Sequence, residues 1–142
     1  MIDINKIIKK EPRLTNAGIE LDETKLPTNE LPDVIEIQRA VDWLETRELK
    51  ITKCAKAYSG SIKHNVEQEM KTYVSNGAVI AALVHLDIPY KTIKKSNRVN
   101  AHLTKNIFNR PWLKRKAVLK TNNILVSAPL QVQAKTPNPG TN

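Results

Sequence analysis

The chain has 142 residues and a single cysteine, Cys54, which fits one compact body with tails and excludes an intrachain disulfide. Its 23 basic and 14 acidic side chains leave a net charge of +9, and a one-sign excess of that size calls for a polyanionic partner. The longest apolar run, residues 78–86 with His85 inside it, falls far short of the roughly 18 residues of a membrane span. Residues 1–10 lack the apolar stretch of a signal peptide, so a cytoplasmic protein with no membrane partner is expected.

Residues 1–32 read as a partly flexible acidic arm. Pro12, Pro27 and Pro32 interrupt it, and Glu20, Asp22, Glu23 and Glu30 dominate its second half. A short helix fits residues 2–10. The first firm helix starts at Asp33, where Asp33 and Glu36 have the spacing of a capping box. Val34, Ile37, Val41 and Leu44 then fall on one helical face. A second helix is expected over 61–73, with Ile62, Val66, Met70 and Tyr73 as its stripe. Ser75-Asn76-Gly77 reads as a turn and cap. The helix over 77–86 is apolar almost all round, which places it at the centre of the core. Pro89 ends it.

From Lys91 to Lys120 there are ten basic residues and no acid. Within that stretch the spacing predicts a helix over 97–109. Val99, Leu103 and Ile107 form its buried stripe, and Arg98, His102, Lys105 and Asn109 share the opposite face. Arg, Lys and Asn are the side chains that reach base edges in a major groove. Lys91, Lys94, Lys95, Arg110, Lys114, Arg115 and Lys116 flank that helix as phosphate contacts. Tyr90, Phe108 and Trp112 interleave with the basic run, as a stacking surface would require. Residues 117–126 suggest a hairpin around Asn122-Asn123, and 127–142 read as a tail.

The expected fold class is mainly α: a small helical bundle over 33–120 with a short C-terminal β-hairpin, its second strand falling in 121–142. The order of elements resembles a helix-turn-helix arrangement, with 77–86 as support and 97–109 as reader. The ten-residue connector between them is longer than that motif's turn. The expected function is nucleic-acid binding, regulatory or accessory, with DNA ahead of RNA. A homodimer would use the alanine-rich side of 77–86 or the face of 34–44. The alternative is a protein- or ribonucleoprotein-binding module without sequence-specific DNA binding. No enzyme motif, cofactor loop or metal cluster is expected. Cys54, His64, His85 and His102 are widely separated, and His64, Glu67 and Glu69 are the only candidates for nuclease chemistry.

Overall fold

The computed structural model describes residues 1–22 and 30–109. The chain begins with α1 (Ile4–Lys10), capped by the Asp3 carboxylate, which accepts from the Asn5 and Lys6 amides. A minimal hairpin follows, β1 (Leu14–Thr15) and β2 (Gly18–Ile19), with Leu14 opposite Ile19. After the undescribed stretch come α2 (Val34–Glu45), β3 (Ala57–Tyr58), α3 (Ser59–Met70) and α4 (Asn76–His85). The described chain closes with β4 (Tyr90–Thr92), β5 (Val99–Ala101) and a 3-10 turn at Lys105–Phe108. Strands β3, β5 and β4 form one antiparallel sheet with β5 in the middle.

This corrects the expectation of a mainly α, helix-turn-helix-like bundle. The described residues are 44% helical and 14% strand, a mixed α+β body with two small antiparallel sheets. The helix expected over 97–109 does not form; β5 and the 3-10 turn occupy its place. Val99, Ala101 and Leu103 are all buried while Asn100 and His102 between them are not. That two-residue alternation is the signature of a strand with one covered face. The hairpin expected over 117–126 and the tail beyond it lie outside the described residues.

The core forms around α4. Ala78 to Leu83 are wholly buried, and α1, β1, β2, α2 and α3 all pack on this helix. From α2 come Ile37, Ala40, Val41, Trp43 and Leu44, and from α3 Ile62 and Val66. The small side of α4 and, apart from exposed Val34, the apolar face of α2, the two faces expected to serve a homodimer, are therefore interior. Asp33 caps α2 through the Ile35 amide, but Glu36 does not close the box. It accepts instead from the Ser75 amide at 2.8 Å, tying α2 to the start of α4, where the Ser75 hydroxyl accepts from Ala78. The end of α4 is a Schellman motif: Ile88 donates to Leu83, Asp87 to Val84, and Asp87 takes the left-handed conformation at φ 56°.

Residues 1–22, expected to be part of an arm, contribute to the core through Ile7 and Leu14. The turn of the first hairpin sits on the start of α4. The Gly77 amide donates to the Asn16 carbonyl, and the Asn76 side chain donates to the Ala17 and Asn97 carbonyls. Gly77 must be glycine here, because a Cβ would collide with the Thr15 carbonyl oxygen.

Candidate nucleic-acid interface

The sheet has one face on the core and one toward solvent. Directly paired residues in an antiparallel ladder point to the same side. Ala57, Ala101 and Tyr90 form one cross-strand row, and both alanines are fully buried. The next row is Tyr58, Asn100 and Lys91, and it faces outward. Strands in a sheet lie roughly 4.8 Å apart, so this row spans about 10 Å.

Two open grooves flank the row. One is lined by Ala55, Lys56, Asn100, Thr104 and Lys105. The other runs along the start of α3 and includes Tyr58, Gly60, Lys63, His64, Glu67 and Arg98. Asn100 and Tyr58 thus stand between Lys56 and Lys105 on one side and Arg98 on the other. Among the described residues no carboxylate lines the first groove. In the second, Glu67 is held by Lys63 at 2.9 Å. Among the described residues, Lys56, Lys91, Lys94, Lys95, Arg98 and Lys105 make no ion pair.

Tyr58 is positioned by three contacts. Its backbone is paired with Asn100. Its hydroxyl accepts from the Arg98 guanidinium at 3.3 Å. The Cδ2–Cε2–Cζ side of its ring lies over Gly60, so close that a Cβ there would sit 2.5 Å from Cε2. The residue stays 36% exposed, enough to leave part of the ring uncovered.

Beyond the row, β4 and β5 are joined by a basic loop. Lys94 and Lys95 are exposed in it, and Lys95 turns the chain at φ 62°. The Ser96 hydroxyl accepts from the Arg98 amide. The root of the loop is anchored at the Asn97 carbonyl, which accepts from the Ile19 amide at 2.9 Å and from Asn76 at 3.2 Å. Strand β4 is held from below: Tyr90 donates to the Glu11 carboxylate, and burial, then that bond, keeps the phenol above its ordinary pKa and protonated. Asp87 pairs with Lys10 of α1 at 2.7 Å. The only acid of residues 70–142 is thereby engaged away from the loop.

The structure separates the residues expected to share a helix face. Arg98 leads into β5, His102 follows it, and Lys105 and Asn109 belong to the 3-10 turn and its cap. Arg98 and Lys105 still line the grooves beside the outer row. The His102 ring nitrogen Nδ1 lies 3.0 Å from the Thr52 carbonyl, to which it donates. Asn109 is exposed at the end of the turn. Of the expected phosphate contacts, Lys91 is in the outer row and Lys94 and Lys95 are in the loop. Arg110, Lys114, Arg115 and Lys116 lie outside the described residues. Sequence reasoning missed Lys56 and Tyr58, which precede α3; the signal for them was the strict alternation across 99–103, which marks a strand that must find a partner. The nuclease candidates have other engagements: Glu67 with Lys63, and Glu69 with Arg47 at 2.6 Å. Among the described residues no three His, Cys, Asp or Glu side chains are grouped as a metal site would require, and no helix is long and apolar enough to cross a membrane. Compared with known proteins, the chain matches no family model, no curated protein and no solved structure.

Proposed function

We propose that this protein binds nucleic acid, as a regulatory or accessory factor, through the outer face of the sheet β3-β5-β4 and the basic loop between β4 and β5. The observation that carries this reading is the set of cations around Asn100: Lys56, Lys91, Arg98 and Lys105, unpaired among the described residues. At physiological ionic strength the Debye length is about 8 Å. Lys91 on β4 and Arg98 at the start of β5 belong to neighbouring strands, with Lys56 beside the far strand β3; like charges gathered on one small sheet repel one another, and a phosphate backbone relieves the repulsion by releasing its own counterions. Lys94 and Lys95 extend the positive surface along the loop. In sequence, Arg110, Lys114, Arg115, Lys116 and Lys120 follow directly. A cytoplasmic location, where exposed Cys54 stays reduced, belongs to the same proposal.

The test is a salt titration of binding to a fluorescent oligonucleotide. If about five phosphates are neutralised, log affinity falls against log salt with a slope of about −3.5 for a single strand and about −4.5 for a duplex. Replacing Lys91, Lys94 and Lys95 together by alanine is expected to reduce the slope by roughly 3. A salt-independent affinity, or an unchanged slope in the triple variant, overturns the proposal.

A further inference from the structure

We infer that the strand bound on this face is single, with one base stacked on Tyr58. The inference rests on the nucleic-acid reading above and names its ligand.

Duplex DNA is read most directly by a helix or ribbon entering the major groove. The α1 helix exposes Lys6 and Lys9 but is only seven residues long and has Lys10 tied to Asp87, and the longer helices offer no such surface. The α4 helix is buried from Asn76 to Val84. The outer side of α2 carries exposed Asp42 and Glu45, which repel phosphate, and on α3 Lys63 is already paired with Glu67. What the molecule exposes beside its cations is a sheet face with an aromatic ring on it.

Tyr58 has the attributes of a stacking platform. It is fixed before any ligand arrives, by Gly60 beneath the ring and Arg98 at the hydroxyl. A side chain at position 60 would occupy the space the ring takes. Cations surround it, so a strand whose base meets the ring lays its phosphates toward Lys56, Lys91 or Arg98. Asn100, next to it in the row, carries a donor and an acceptor for a base edge. Stacking on an aromatic ring requires a base with a free face, which a single strand has and a duplex keeps inside its own stack. A duplex on this surface would meet the cations and leave Tyr58 uncovered.

The experiment uses the full chain with three 12-nucleotide probes: oligothymidylate, oligouridylate and a 12-base-pair duplex, all at one salt concentration. The single strands are expected to bind more tightly than the duplex, and the comparison of thymidylate with uridylate identifies the preferred sugar. Tyr58→Ala is expected to lose roughly 5- to 150-fold in single-strand affinity with its salt slope unchanged, whereas Tyr58→Phe keeps it within about two-fold. Thermal melting checks that each variant folds. In Tyr58→Trp, single strands are expected to quench emission beyond the change seen in the parent, and this readout does not depend on any loss of stability. If the duplex binds as tightly as the single strands, or Tyr58→Ala binds like the parent while the lysine variant weakens, the stacking inference fails and the nucleic-acid reading stands. Absence of salt-dependent binding to all three probes overturns both.

Discussion

Arg47 shows how one side chain ties the end of α2 to α3 and to the 3-10 turn. Its side chain is 1% exposed, and each of its nitrogens has a use. Nε donates to the Ile107 carbonyl at 2.9 Å, Nη1 to the Thr46 hydroxyl at 2.7 Å, and Nη2 to Glu69 at 2.6 Å. The guanidinium also lies 3.9 Å from the centre of the Trp43 ring. Burial lowers its pKa, and the bond and charge of Glu69 offset only part of that fall. Removing the guanidinium strands the Ile107 carbonyl and uncovers Trp43, so Arg47→Ala is expected to cost about 3 kcal/mol in urea unfolding. Glu69 is partly open to water, which solvates the group left behind, so Glu69→Gln is expected to cost only about 1 kcal/mol. Equal losses from the two variants would mean that the ion pair, and not the packing of the guanidinium, dominates.

At the scale of elements, the first hairpin and α4 fit through the absence of one methyl group. In Gly77→Ala the new Cβ meets the Thr15 carbonyl and lies 2.8 Å from that of Asn16. The neighbours are backbone, so the hairpin itself must move, at a cost of about 2–3 kcal/mol. The expected result is a lowered melting temperature together with faster hydrogen exchange at Ile19, whose amide bonds the Asn97 carbonyl through the docked hairpin. Slow exchange at Ile19 in the variant would show that the hairpin stays docked.

The helices of the first two-thirds were legible because their signals are local: Asp33 and Ser75 as caps, and the all-round apolar run of α4. Glu36 misled, since its spacing from Asp33 announces a box while its real acceptor role lies across the fold at Ser75. The basic half was misread for a definite reason. Val99, Leu103 and Ile107 are four apart and satisfy a helical stripe, but Val99, Ala101 and Leu103 are two apart and satisfy a strand equally well. In three-residue strands pairing decides, and the partners Ala57 and Tyr90 are remote in sequence. Lys91, Arg98 and Lys105, expected as contacts, stand on or beside the proposed sheet face, because composition survives a change of secondary structure. Tyr58 did not stand out, because its position over Gly60 exists only once β3 has turned into α3.

For the whole molecule, charge distribution bears on stability and on the binding proposed above. The first 69 residues carry 11 basic and 13 acidic side chains, while residues 70–142 carry 12 basic and one acidic, Asp87. The hydrogen bond from Lys10, then its charge, holds the Asp87 carboxyl below its ordinary value of 3.8, with smaller help from Lys6 and His85. A carboxyl depressed in the folded state stabilises the fold above its unfolded pKa and loses that contribution as pH falls through the folded one. Asp87→Asn keeps a residue that tolerates the left-handed conformation and removes the charge. Its melting temperature is expected to lie below the parent's at pH 6, with the gap closing as pH falls below the ordinary aspartate range. A gap that widens with acid would contradict the assignment.

The anchoring of the loop root has a kinetic consequence. Ala17 reaches Asn76 across 59 positions, and Glu11 reaches Tyr90 across 79. Such contacts close long loops, whose entropy must be overcome before any bond forms to offset it. A chain still on its way to the native state has its lysines but not yet the frame that sets their spacing. Ordering of the charged surface is therefore a late event in folding, timed by the docking of the opening segment and not by the local propensity of the strands that carry it.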